Sequence, residues 1–279
     1  MPEITAAAVK ALRERTGLPM MDCKRALTEA GGDPEAAIEA LRKAGKKLMG
    51  GRGDRETSAG RIAVYASLEP GVGAMVELLC ESAPVANNQE FVDLARSLAE
   101  QLALGPGAAT PEELLAQPSP GKPGQTLQQQ FDDLTNRIRE VFRLKRICRL
   151  NGPCGGYAHH NGGAGVLLQV EGGNAELAKD ICMHIAAMRP SVVSRDDLDP
   201  KLVEKEREIA ATAARNEGKP EKVIPKIAEG KLKDFYAQQC LAEQIHPNKE
   251  KYGGETVGKL AAAAGMKLVR FVHWELGKE

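Results

Sequence analysis

The sequence predicts an α+β fold assembled from modules: an N-terminal three-helix unit, two related α+β core subdomains, a helical hairpin and a C-terminal helix–strand module. Three observations carry this. The first 47 residues hold three short amphipathic patterns separated by Gly17 and by Gly31-Gly32. The middle of the chain repeats itself. Tyr65-Ala66-Ser67 is followed by Gly73-Ala74-Met75-Val76-Glu77-Leu78, and Tyr157-Ala158-His159 by Gly165-Val166-Leu167-Leu168-Gln169-Val170, with tyrosine and glycine equally spaced in both copies. Each copy reads as strand, turn, strand and amphipathic helix, so the two are related subdomains. Residues 199–245 read as two helices around the breaker run Asn216-Glu217-Gly218-Lys219-Pro220.

The elements follow in order. Thr5 caps a helix carrying Val9 and Leu12, which ends at Thr16-Gly17. A second helix spans about Met20 to Ala30, with Cys23, Ala26 and Leu27 inward. Asp33 caps a third, with Pro34 in its first turn and Ala37, Ile38 and Leu41 on one face. A unit of residues 1–47 is too small for much core, which suits a docking module. Between Arg42 and Arg61 lie seven basic and two acidic residues among glycines, read as a flexible basic linker centred on 48–60. Such a run is more often solvated than bound to RNA.

The first core subdomain, 61–140, contains the stretch that organises the chain. Met75, Val76, Leu78 and Leu79 form an apolar run typical of a strand covered on both faces. Ser82 to Ala86 are expected to form a stiff corner, with Pro84 pushing Ala83 into extended geometry. Asn87 is the expected N-cap of the next helix, with Glu90 as its capping-box partner and Phe91, Leu94, Leu98 and Leu102 inward. Gly105 to Gly124 is Pro/Gly-rich around a short helix, Pro111 to Ala116, and a helix from Thr126 to Arg139 follows. The basic strand Val141 to Leu150 is assigned to the second sheet, opening a subdomain of residues 141–198. After the hairpin, residues 246–279 give a short helix, Thr256 to Ala264, and a final strand, Met266 to Leu276.

The composition excludes several classes of function. Lys plus Arg equals Asp plus Glu at 38 each, so no global field draws the chain to nucleic acid or membrane. Aromatic residues make up 4%, too few for base-stacking platforms. No apolar run approaches membrane-spanning length and no signal peptide opens the chain, so a cytoplasmic location is expected. The six cysteines are scattered without a CxxC pair, as reduced buried thiols would be. None of the six Gly-Lys pairs is followed by Ser or Thr, and GxGxxG, GxSxG and HExxH are missing. Cys154, His159 and His160 are the one metal-like group, and they lack a fourth ligand nearby. His184 reads as a core histidine. No cofactor and no catalytic residues are expected; docking to a partner is.

Val9-Lys-Ala-Leu-Arg-Glu-Arg-Thr-Gly17 followed by Met20-Met-Asp-Cys-Lys-Arg-Ala-Leu-Thr-Glu-Ala30 resembles the N-terminal signature of bacterial elongation factor Ts. Arg55 to Arg61, Tyr157 to Leu167, Asn216 to Pro220, and Thr256-Val-Gly258 with Val269-Arg-Phe-Val272 resemble that family too. The resemblance implies a UBA-like N-terminal module and a guanine nucleotide exchange factor for elongation factor Tu, with no covalent chemistry. It implies that Leu12, Met20 and Met21 dock on the partner's nucleotide-binding domain, Leu12 and one methionine reaching it. It also implies that His159 presses near the phosphate-binding loop. Whether the assembly is a homodimer or a 2:2 complex stays open. At the corner the family's usual Thr-Asp-Phe-Val is replaced by Ser82-Ala83-Pro84-Val85. No carboxylate stands at 83 to disturb magnesium and no ring at 84 to wedge, leaving Pro84 and Val85 as a smaller apolar wedge. Glu81, one residue out of register, is expected to point elsewhere. That departure also motivates an alternative: a partner that holds factor Tu without exchange.

Overall fold

The computed structural model describes residues 4–51 and 54–278, and the side chains of 46–50 are not among those described. Arg52 of the expected linker thus lies outside the described residues. The N-terminal unit is α1 (Ala6–Thr16), α2 (Met20–Glu29) and α3 (Pro34–Gly50). Thr5 accepts a hydrogen bond from the Ala8 amide to cap α1, and Gly17 closes it at φ +68°, a backbone region that suits glycine. Val9, Leu12, Cys23, Ala26, Leu27, Ala37 and Leu41 make its core. The unit rests on α7 (Leu127–Ile138). Arg42 donates Nε and Nη2 to both carboxylate oxygens of Asp133 at 2.9 Å, and Arg139 reaches Asp22 at 3.0 Å. The basic run is therefore not a free linker throughout: α3 continues through Arg42 to Gly50, and Arg42, Arg55 and Arg61 are all engaged by other parts of the fold.

Two antiparallel sheets form the centre. The first orders β1 (Ala59–Ser67), β2 (Val72–Cys80) and β3 (Arg143–Asn151); the second orders β4 (Cys154–Ala158), β5 (Ala164–Glu171) and β6 (Lys267–Glu275). The strand expected to open the second sheet is instead the outer strand of the first, pairing Leu78 with Leu144 and Met75 with Cys148. Its alternation of basic and apolar residues marks a half-exposed strand without saying which sheet it joins. The duplication goes deeper than the sequence motif. Each hairpin takes a third strand on its second strand, and the ladder to that third strand is irregular at matching places, Glu77/Leu78 and Gln169/Val170.

The sheets pack face to face through Ile62, Met75, Leu150, Cys154 and Leu167. Glycines permit the close approach: a Cβ on Gly165 would lie 2.4 Å from Ile62 Cγ2. Helices cover the outer faces. α4 (Ala83–Ala86), α5 (Gln89–Leu104), α6 (Pro111–Leu115) and α7 lie over the first sheet, where Phe91 and Phe142 meet edge to face at 5.0 Å. α8 (Ala175–Met188) covers the second, which also packs against α12 (Val257–Ala263). Every residue of β2 is buried, Glu77 included, as the apolar residues on both sides of that glutamate predict for a strand covered on both faces. The hairpin is α9 (Pro200–Asn216) and α10 (Ile224–Gln239); α11 (Lys249–Tyr252) and α12 (Val257–Ala263) lead into β6. The base of the hairpin is clasped: Leu241 N–H donates to Val192 O and Ala242 N–H to Val193 O.

One buried charge ties the sheets together. Glu77 on β2 is fully buried, pairs with Arg146 of β3 and accepts the Gly277 N–H at 3.3 Å. The Arg146 guanidinium lies 4.4 Å over the Trp274 ring and donates to Glu275 O.

Candidate functional site: a stiff tip beside a histidine turn

The corner after β2 is one turn of helix, α4. Ser82 is the extended residue before it, at φ −129° and ψ 149°, while Ala83 is already helical. Pro84 therefore does not drive Ala83 into extended geometry. It sits in the first turn, where its missing N–H costs nothing and its fixed φ suits the helix. Asn87 ends α4, and Asn88, one residue past the expected cap, accepts the Glu90 N–H to start α5. The extra turn of α4 displaces the cap.

Two acids fasten the tip from behind. Glu140 accepts the Ser82 N–H at 3.1 Å and the Ser82 hydroxyl at 2.6 Å. Glu81 accepts the Val141 N–H at 2.7 Å and pairs with Arg55 at 3.0 Å, so it does point elsewhere. Ala83 and Pro84 are exposed, Val85 is half-buried against the first core, and Ala86 is buried. The presented surface is small, apolar and uncharged.

His159 ends the β4 side of the second hairpin. Its N–H donates to Ala164 O, and its carbonyl accepts the Gly162 N–H at 2.8 Å to close a tight turn. Asn161 Oδ1 accepts the Gly163 N–H, and Gly162 supplies φ +75°. The half-buried ring places Nδ1 2.8 Å from the Tyr157 hydroxyl and lies edge-on to His160 at 4.3 Å. Cys154, at the far end of β4, faces the inter-sheet core, so this trio does not converge as a ligand set.

Arg61 links tip and turn. Its guanidinium donates to Ala86 O at 3.3 Å, to Asn87 Oδ1 at 3.5 Å and to His160 O at 3.4 Å. Burial, and then the neighbouring Arg96, hold its pKa below the usual arginine value. Sequence reasoning missed Arg61 because its partners lie in two segments, one 25 and the other 99 residues further along the chain.

The N-terminal residues divide. Met20 is 47% and Met21 71% exposed, while Leu12 is 1% exposed. In this chain Leu12 is a core residue of the three-helix unit: it lies on the inward stripe with Val9 and packs with Leu27 and Leu41, leaving the two methionines as the exposed apolar side chains of the three. Among the described residues no helix is long and apolar enough to cross a membrane.

Residues 81–278 match the family model for elongation factor Ts. The chain belongs to the elongation factor Ts family. It is 42% identical to elongation factor Ts of Corynebacterium urealyticum, with the whole of both chains covered. It is 39% identical to that of Thioalkalivibrio sulfidiphilus over 99% of this chain and 92% of the relative, and 42% identical to that of Cytophaga hutchinsonii over 88% of each. Membership in the elongation factor Ts family makes this a translation elongation factor, a protein of the biosynthetic machinery.

Proposed function

We propose that this chain binds elongation factor Tu in its GDP-bound form in the cytoplasm and speeds exchange of GDP for GTP, performing no covalent chemistry. The observation that carries the reading is the pairing of the Ala83–Pro84 tip with the His159 turn. Two projecting elements from two subdomains are held together and need no ordering before they meet a partner. Met20 and Met21 offer a separate, adaptable apolar contact on the N-terminal unit. Binding nucleotide-free factor Tu more tightly than the GDP form weakens GDP binding by the same factor. A thousandfold weakening needs about 4 kcal/mol of differential binding, within reach of an interface of standard size.

The tip works by shape. Position 83 carries no acid, and the two acids that fasten the tip are spent inside the fold, Glu140 on Ser82 and Glu81 on Val141 and Arg55. Pro84 and Val85 act as the wedge while His159 presses from the neighbouring hairpin. Stopped-flow release of fluorescent GDP from factor Tu tests this. Acceleration at micromolar concentrations of this chain is expected; tight binding with an unchanged release rate would reject exchange and leave only a holding role. Ala83→Asp is expected to alter the magnesium dependence of release, and an identical magnesium profile would remove position 83 from the mechanism.

A further inference from the structure

We propose that Arg61 is a positioning residue that locks the Ser82–Ala86 tip and the His159–Gly162 turn into one rigid head, so that force on either element reaches both. The inference rests on the exchange reading and goes beyond it by naming what makes two subdomains act together. Arg61 stands at the start of β1, and the next residue, Ile62, donates its N–H to Gly162 O at 2.8 Å. The arginine stem lies across the turn: a Cβ on Gly162 would be 2.5 Å from Arg61 Cγ, so the bare glycine is what lets the side chain cross. The guanidinium then reaches a backbone carbonyl of α4, the Asn87 side chain behind it, and a backbone carbonyl of the histidine turn.

The choice of partners is informative. Arg42, Arg55, Arg137 and Arg146 each pair with a carboxylate. Arg61 is matched only to neutral oxygens among the described residues, and it tolerates Arg96 nearby. An arginine spent this way satisfies no ion pair. What it supplies is a flat, forked donor that spans acceptors on different elements, a geometry a lysine head does not reproduce. Each bond is long, so no single one holds the head; the three together fix the relative placement of tip and turn.

The test uses the full chain with factor Tu carrying fluorescent GDP, and reads the maximal release rate separately from the concentration giving half of it. Arg61→Met keeps the stem and loses the fork; Arg61→Lys keeps stem and charge. Both are expected to lower the maximal rate about tenfold while changing the half-maximal concentration less than about twofold, because the Met20–Met21 contact lies on another unit. Pro84→Gly and His159→Ala supply the second readout. With Arg61 present the double variant is expected to be no slower than the worse single variant, as for groups that act as a unit. In the Arg61→Met background the two effects should multiply. A folded Arg61→Lys protein with the unaltered maximal rate overturns the proposal, as does the same tip–histidine coupling in both backgrounds. If both arginine variants unfold, Arg61 serves folding and the proposal is likewise overturned. Failure of the unaltered chain to accelerate release refutes the exchange reading itself, and the proposal falls with it.

Discussion

Replacing Glu77 by alanine removes the buried acceptor that joins β2 to Arg146 of β3 and to the backbone beyond β6. Breaking a buried ion pair from one side costs about 3–5 kcal/mol when the remaining charge has nowhere to go. Here Arg146 keeps 23% side-chain exposure, the Trp274 face and the Glu275 carbonyl. That relief lowers the expected cost to about 2–3 kcal/mol; Gly277 is exposed, so its freed N–H turns to water and adds little. Glu77→Gln retains an acceptor and is expected to cost about 1–2 kcal/mol. Replacing both Glu77 and Arg146 by methionine should recover most of the alanine loss, since an apolar pair needs no desolvation. Trp274 is the chain's single tryptophan and lies against Arg146, so its fluorescence through a urea titration reads this junction directly. The reasoning is refuted if Glu77→Ala costs less than about 1 kcal/mol, or if the double methionine variant is no more stable than the alanine variant.

Three further outcomes are expected. Leu12→Ala should destabilise the N-terminal unit by about 2–5 kcal/mol, whereas Met21→Lys should move stability by less than about 0.5 kcal/mol yet raise the half-maximal concentration for GDP release at least fivefold or so; melting curves and release kinetics on both variants decide. Burial holds the pKa values of His184, His246 and His273 below the ordinary histidine value, so their neutral forms are favoured in the fold. The unfolded chain then binds more protons as pH falls below about 6.5, and the stability present above that pH is lost on the way down; a urea midpoint that stays flat or rises between about pH 7 and pH 5 would contradict this. Arg42→Ala should free α3 from Asp133 and raise amide exchange along α3 and α7 by the equivalent of about 1 kcal/mol; unchanged exchange on both helices would show that the pair does not hold the unit in place.

What could be read in the sequence was local. The covered strand announced itself through Met75 to Leu79, the helix after it through the spacing of Phe91, Leu94, Leu98 and Leu102, and the hairpin turn through Gly218 and Pro220. The duplicated hairpins showed in their shared tyrosine and glycine. What failed to show was pairing over distance. Alternation in Arg143 to Leu150 identifies a strand but carries no label for its neighbour, and its pairing with β2 appears only in the fold. The burial of Leu12 is not legible either, because one turn of a small helical unit shows the same residues whether they face a core or a partner. The moved cap at Asn88 followed from a helical turn too short to leave a periodic pattern. Arg61, Glu77 and Glu140 gain their roles only when segments far apart in the chain meet.

The clasp between Val192-Val193 and Leu241-Ala242 means that the two feet of the long hairpin stand side by side. The limb above them is thereby insulated from the sheet below. Its length and outer surface are open to redesign at little thermodynamic penalty, because closing a longer excursion between fixed feet adds only a logarithmic entropy. A translation factor built this way can exchange one limb for another, or carry a reporter at Gly218, while its central scaffold stays untouched.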